Sequence, residues 1–135
     1  MAVFVWSDKY SVKVNEMDSQ HKKLLDILND LYEAMQKGQA AASLSKLVGD
    51  LLTYTQRHFS AEERYMQQYG YPKYAEQKKE HDFFISKIKK YQADLAAGKT
   101  SFSVDMSVFL KNWLVNHISV VDKEYGPFFN GKGLK

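Results

Sequence analysis

Apolar residues recur along most of this chain at spacings of three and four, the period of an α-helix with one buried face. The first stripe runs through Leu24, Leu25, Leu28, Leu31, Tyr32 and Met35, and the second through Leu44, Leu47, Val48, Leu51 and Leu52. The third takes in Tyr74, Phe84, Ile88, Tyr91 and Leu95, and the fourth Met106, Leu110, Trp113, Leu114 and Val121. Strand-like alternation is scarce. Breakers separate the stripes at Lys37-Gly38-Gln39, Tyr69-Gly70-Tyr71-Pro72, Gly98-Lys99-Thr100 and Gly126-Pro127. Asp18 is suited to cap the first helix and Pro72 to sit in the first turn of the third. Gly49 lies inside the second stripe, where it costs about 1 kcal/mol against alanine, too little to interrupt a long amphipathic helix. Residues 1 to 17 and 127 to 135 read as irregular arms, with Trp6 anchoring the first. The expected fold is all-α: an up-down-up-down antiparallel four-helix bundle with an irregular N-terminal arm, one domain over residues 1 to 135.

The polar residues on these stripes carry the chemistry. Extending the first stripe back by one turn reaches His21, and the second continues through Thr55 to His58, Phe59 and Glu62. Gln77 and His81 lie on the third, and His117 lies on the fourth with Asp122 just beyond Val121. All four histidines of the chain therefore face the core. In an antiparallel bundle the start of helix one meets the end of helix two, the start of helix three and the end of helix four. The seven polar groups converge on that one end. Singly, each has an ordinary reading: a core histidine is more often hydrogen-bonded structure than a ligand, His58 and Glu62 resemble a surface pair, and Phe59, Phe84 and Trp113 resemble core packing. Jointly they do not. A buried carboxylate without a compensating cation costs several kcal/mol, and no lysine or arginine shares these stripes. A metal pair would neutralise both carboxylates and use the imidazoles as ligands.

Helix four adds a geometric requirement. A four-residue step leaves side chains about 40° apart on an ideal helix, but the five-residue step from His117 to Asp122 leaves about 140°. Both reach one site only if the helix is locally underwound, as in a single-turn π-bulge.

Charge and cysteine content narrow the field. The net charge is +3, but the lysines are interleaved with acids (KKLLD, EQKKEHD, KIKKYQAD), the pattern of solvated helix faces rather than of a nucleic-acid footprint. With no cysteine there are no disulfides and no thiolate metal sites, which fits a reducing compartment. The opening MAVFVWSDKY lacks a basic n-region, and no apolar stretch approaches the ~20 residues of a membrane span. The expectation is a cytoplasmic protein with neither nucleic acid nor membrane as partner.

Imidazole and carboxylate facing each other in a bundle point to a dinuclear iron site. The Glu-x-x-His pairs of ferritin-like carboxylate proteins are absent, as is the H-E-x-x-H zinc motif. The stretches WSDKYSVKVNEMDSQHKKLLDILNDLY, RHFSAEERYMQQYGYPKYAEQKKEHDFF and NWLVNHISVVDKEY follow the order H…HxxxE…HxxxH…HxxxxD. In these the chain resembles the bacterial hemerythrins over nearly its whole length. That resemblance implies two irons bridged by Glu62, Asp122 and an oxo or hydroxo group. It implies His21 and His58 on the iron that keeps a position open for oxygen, and His81 and His117 on the other. The family's third histidine on that second iron falls at position 77, where this chain has glutamine. About twelve octahedral positions would then have about ten fillers, unless the Gln77 amide oxygen coordinates. The resemblance also implies an apolar oxygen pocket of Trp113, Leu114, Ile118 and Phe59.

The implied function is reversible O2 binding, for carriage, storage or sensing, with azide-like small anions binding the ferric form. An oxygen-consuming enzyme is the expected kind of protein partner. The rival from another class is a di-iron enzyme with peroxidase, ferroxidase or nitric oxide reductase activity, which a second open position at residue 77 would favour. A plain helical bundle with a degenerate site is the third reading.

Overall fold

A computed structural model of the chain describes residues 4–38, 41–98 and 103–135. Four helices form the bundle: α1 (Asn15–Gln36), α2 (Ala41–Tyr69), α3 (Tyr74–Ala96) and α4 (Ser103–Asn116). Cross-helix contacts fix their directions. On α2 and α3, Phe59 packs on Phe84 while Glu63 meets His81, and on α3 and α4, Tyr91 packs on Phe109 while His81 meets His117. Tyr32, near the end of α1, donates its hydroxyl to the carbonyl of Ser107, near the start of α4. Each pair is antiparallel, giving the up-down-up-down order. Helix α1 closes on Gly38 and helix α3 on Gly98, both left-handed at φ +66° and +79°, a conformation costly for any residue with a Cβ. Gln39, Lys99 and Thr100, the other members of those expected breaks, lie outside the described residues. Gly49 leaves α2 continuous.

The underwound segment is present. Helix α4 passes directly into a π-helical turn (His117–Val121), then a 3₁₀ turn (Asp122–Glu124), then α5 (Tyr125–Gly131). Helix therefore continues where a break at Gly126-Pro127 and an irregular arm were expected. Gly126 is buried in α5, where a Cβ would collide with the carbonyl oxygen of Val12. Its smallness permits a close backbone approach; it does not end a helix.

Two capping expectations also change. Helix α1 begins at Asn15, ahead of Asp18. The Asp18 carboxylate instead accepts hydrogen bonds from the Ser11 hydroxyl (2.6 Å) and the Val12 N–H (2.8 Å), fastening the preceding arm to the helix. Pro72 sits in the turn before α3, whose first residue is Tyr74. The N-terminal arm is more ordered than expected: Phe4 exchanges two backbone hydrogen bonds of 2.8 Å with the Asn29 side chain, and Asp8–Tyr10 form a 3₁₀ turn. Trp6 does pack on the core, with the Lys22 ammonium 5.1 Å from its ring centroid.

The core has two apolar parts with a polar layer between them. Leu28, Leu31, Val48, Leu51, Ile88 and Leu110 belong to the larger part, which fills the bundle. Val12, Met17, Met66, Tyr71, Tyr125 and Phe129 belong to the smaller, which closes one end. Met17 precedes His21 by a turn, Met66 follows Glu62 by a turn, and Tyr125 follows Asp122, so the smaller cluster caps the polar layer. No helix among the described residues is long and apolar enough to cross a membrane.

Replacing Gly126 by alanine forces a Cβ against backbone that cannot move independently, and should cost about 1–3 kcal/mol. Gly131→Ala, where nothing lies within 4 Å, should stay within about 0.5 kcal/mol of the parent. Chemical denaturation of both variants checks this, and equal stabilities would refute the close-approach role.

Candidate metal centre

One helical turn separates His58 from Glu62 on α2, and Gln77 from His81 on α3, so each pair shares a face. His21 projects from the first half of α1. His117 opens the π turn and Asp122 directly follows it, which turns both inward despite their five-residue separation. All seven side chains are at most 2% exposed. They form two overlapping groups: His21, His58, Glu62 and Asp122, and Glu62, His81, His117 and Asp122. Within each group, one donor atom per residue lies within 4.8 Å of the others. The two carboxylates belong to both groups.

Several inward atoms approach one another without satisfying one another, although His81 Nε2 and His117 Nε2 lie within hydrogen-bond distance at 3.2 Å. His21 Nε2 lies 3.1 Å from Asp122 Oδ2 and 3.6 Å from Glu62 Oε2. His58 Nε2 and His81 Nε2 lie 3.4 and 3.3 Å from Glu62 Oε1, and His117 Nε2 lies 3.1 Å from Asp122 Oδ1. Among the described residues, the buried side-chain nitrogens and oxygens with no hydrogen-bond partner are His21 Nδ1 and Nε2, His58 Nε2, Glu62 Oε1, Gln77 Oε1 and Asp122 Oδ2. Every one belongs to this cluster. Stable cores do not leave such atoms unpaired without a reason. An ion with bonds of about 2.1 Å holds its donors about 3–4 Å apart, the spacing found here. The donor set, four imidazoles and two shared carboxylates, therefore fits a pair of metal ions.

The outward atoms are held from behind. His81 Nδ1 lies 2.8 Å from Glu63 Oε2, His117 Nδ1 3.3 Å from Glu80 Oε1, and His58 Nδ1 2.6 Å from Gln20 Oε1. The Tyr125 hydroxyl donates to Glu62 Oε2 at 2.6 Å, and burial beside Glu62 and Asp122 raises its pKa well above 10, keeping it a donor. Gln77 turns its amide nitrogen to Asp122 Oδ1, 3.1 Å away, and leaves its oxygen unpaired. Sequence patterns gave no sign of Gln20, Glu63, Glu80 and Tyr125. Glu80 fell in the EQKKEHD run read as a solvated face, Glu63 carried no reading of its own, and Tyr125 stood beside an expected chain break.

Aromatic rings fix the imidazole planes. Phe59 stacks on His81 at 3.9 Å and 1°, and Trp113 on His117 at 4.6 Å and 9°. The two aromatic members of the expected oxygen pocket thus cover the His81 and His117 rings, with Phe59 5.9 Å from His58. Leu114 and Ile118 are buried in the same apolar cluster.

The carboxylates do have counter-charges in the metal-free protein, and these come from the imidazoles. Burial alone would lower His21, but Asp122 and Glu62 overcome it and raise its pKa to about 9. For His117, the same burial is outweighed by Asp122, with Glu80 and Glu62 behind it, to about 10. Burial lowers His58 below 6.5. Burial opposes ionisation of Glu62 and Asp122, yet the surrounding histidines hold both below their ordinary values. Protons and metal ions are alternative means of neutralising one pair of charges.

Comparison with known proteins gives a consistent result. Residues 12–129 match the family model described as the hemerythrin HHE cation binding domain. A bacteriohemerythrin of Methylococcus capsulatus is 35% identical over 128 residues, 94% of this chain and 97% of that protein. A myohemerythrin of Sipunculus nudus is 31% identical over 122 residues, 90% of each chain. A crystal structure of wild-type hemerythrin superimposes with a TM-score of 0.86 at 35% identity, covering 93% of this chain and 97% of that one.

The shifted imidazoles predict how the metal-free protein responds to pH. A raised folded pKa stabilises fully below the unfolded value of 6.5, and that stability is lost as pH rises through about 9 for His21 and about 10 for His117. The depressed carboxylates act oppositely, losing their contribution as pH falls through their folded values. The melting temperature of chelator-treated protein should therefore fall between pH 7 and pH 10, while the loaded protein, whose imidazoles bind metal in neutral form, should lose less. A metal-free melting temperature that stays flat over that range would refute protonated His21 and His117.

Proposed function

The chain belongs to the hemerythrin family, and on that premise we propose that it holds two iron ions with these residues and binds dioxygen reversibly. His21 and His58 would hold one iron, His81 and His117 the other, and Glu62 and Asp122, common to both donor groups, would serve both. One observation carries this reading: two donor groups share both carboxylates, and every buried side-chain atom without a partner among the described residues lies in this cluster. Family members are non-haem di-iron proteins that bind O2. When bound, the iron pair supplies the electrons and the open coordination position that dioxygen requires.

The protein's own groups orient, neutralise and keep dry. The Tyr125 hydroxyl holds one oxygen of Glu62, and the Gln77 amide nitrogen one oxygen of Asp122. Gln77 thus acts as a hydrogen-bond donor to a bridging carboxylate, and its half keeps two imidazoles. Phe59, Leu114 and Ile118 are buried and Trp113 is mostly covered, so water and protons that would promote irreversible oxidation are kept from the site. A small anion such as azide would bind the ferric form, which lacks the electrons that dioxygen requires. A cytoplasmic setting, and delivery of oxygen to an oxygen-consuming enzyme, extend the same reading.

Protein purified from iron-replete medium should contain two irons per chain. In the ferrous state its absorption should change on exposure to oxygen and return under argon. Absence of bound transition metal would end the di-iron reading, and an irreversible change coupled to turnover would favour the enzyme. Position 77 gives a sharper check. Gln77→His should add a ligand and slow the spontaneous oxidation of the oxygen-exposed protein, whereas Gln77→Ala should not. If the histidine variant oxidises as fast as the parent, residue 77 does not limit the oxygen complex.

A further inference from the structure

With glutamine at position 77, ligand counting no longer distinguishes the two halves of the centre. Each has two imidazoles, and both share Glu62 and Asp122. The difference lies behind the rings. On one side His81 Nδ1 faces the Glu63 carboxylate at 2.8 Å and His117 Nδ1 faces the Glu80 carboxylate at 3.3 Å. On the other side His58 Nδ1 faces the neutral Gln20 amide oxygen at 2.6 Å, and His21 Nδ1 has no partner.

A carboxylate behind an imidazole fixes its tautomer and raises its donor strength, and losing such a partner costs about 10–100-fold in metal affinity. Glu63 is the stronger of the two. Its contact is shorter, and its side chain is 16% exposed against 38% for Glu80. Lys78 offsets it only partly: its ammonium lies 3.5 Å from Glu63 but 2.9 Å from Asp82. The Phe59 ring, stacked on His81, holds the imidazole in the plane that presents Nδ1 to Glu63.

Resting on the di-iron reading above, we infer that Glu63 is a positioning residue that makes the His81/His117 half the tighter-holding half of the centre. It supplies from behind the ring the asymmetry that a third histidine at position 77 would supply directly. Solvent access alone favours the opposite outcome. A surface groove of about 260 Å³ between α2 and α3 is lined by Phe59, Glu63, Lys78 and His81, so this half lies nearer to water. If accessibility ruled, its iron would leave first.

The test is iron release from the fully loaded ferrous protein into excess chelator under argon. The parent should release one iron per chain quickly and the second at least tenfold more slowly. Glu63→Gln keeps a hydrogen-bonding group but removes the charge, and should accelerate the slow phase by about 10–100-fold while leaving the fast phase within about twofold. Gln20→Glu should slow the fast phase. A matching melting temperature for the metal-free parent and Glu63→Gln proteins shows that the change is not a folding defect. Release of both irons in a single phase from the parent, or unchanged phases in Glu63→Gln, would overturn this inference while leaving the di-iron centre intact. A parent protein without iron would overturn the reading beneath it.

Discussion

Everything at the closed end of this bundle follows from burying Glu62 and Asp122 within reach of each other. Two carboxylates removed from water repel one another and forfeit hydration worth several kcal/mol each. The fold answers with four imidazoles around them and one phenol, rather than with lysine or arginine. An imidazole differs from those cations in that it can surrender its proton and remain a donor. The arrangement is stable enough to fold when protonated and still able to accept metal. An arginine in the same place would have neutralised the charge permanently and closed the site to ions.

That constraint explains the irregular stretch of the fourth helix. A regular helix would point Asp122 about 140° away from His117, toward the surface. The π turn over His117–Val121 brings both to one centre, and the helix resumes after a short 3₁₀ turn. In α5, which follows, Tyr125 and Phe129 cover the polar layer and Gly126 lies against Val12 of the arm. The bulge thus shapes the ligand set, and the helix after it supplies the lid.

Much of this was legible in the residues, and the limits are instructive. The helices, their antiparallel order and the convergence of seven polar groups followed from periodicity, because a stripe position is a statement about burial. The π turn followed from a spacing that no regular helix could satisfy. Asp18 was misread because a carboxylate near a helix start can bind a neighbouring arm as readily as its own first turn. Gly126 was misread because the same residue type serves breaks and close approaches. Glu63 and Glu80 were invisible for a different reason: they occupy partly exposed faces, and a hydrogen bond from the rim to a buried ring leaves no periodic trace. The two-and-two division of the imidazoles, by contrast, was an implication of the family resemblance, with glutamine at position 77 in place of a third histidine.

The order in which the chain is made has its own consequence for the covering of the site by residues after 121. Glu62 and Asp122 are separated by 60 residues of sequence. At a synthesis rate of about 5–20 residues per second, Glu62 leaves the peptidyl transferase centre about 3–12 seconds before its partner carboxylate exists. During that interval the chain has made His21, His58 and Glu62 but neither Asp122 nor α5. The second carboxylate and the lid then arrive within a few residues of each other. The second carboxylate and its cover are therefore made together, well after the first three donors.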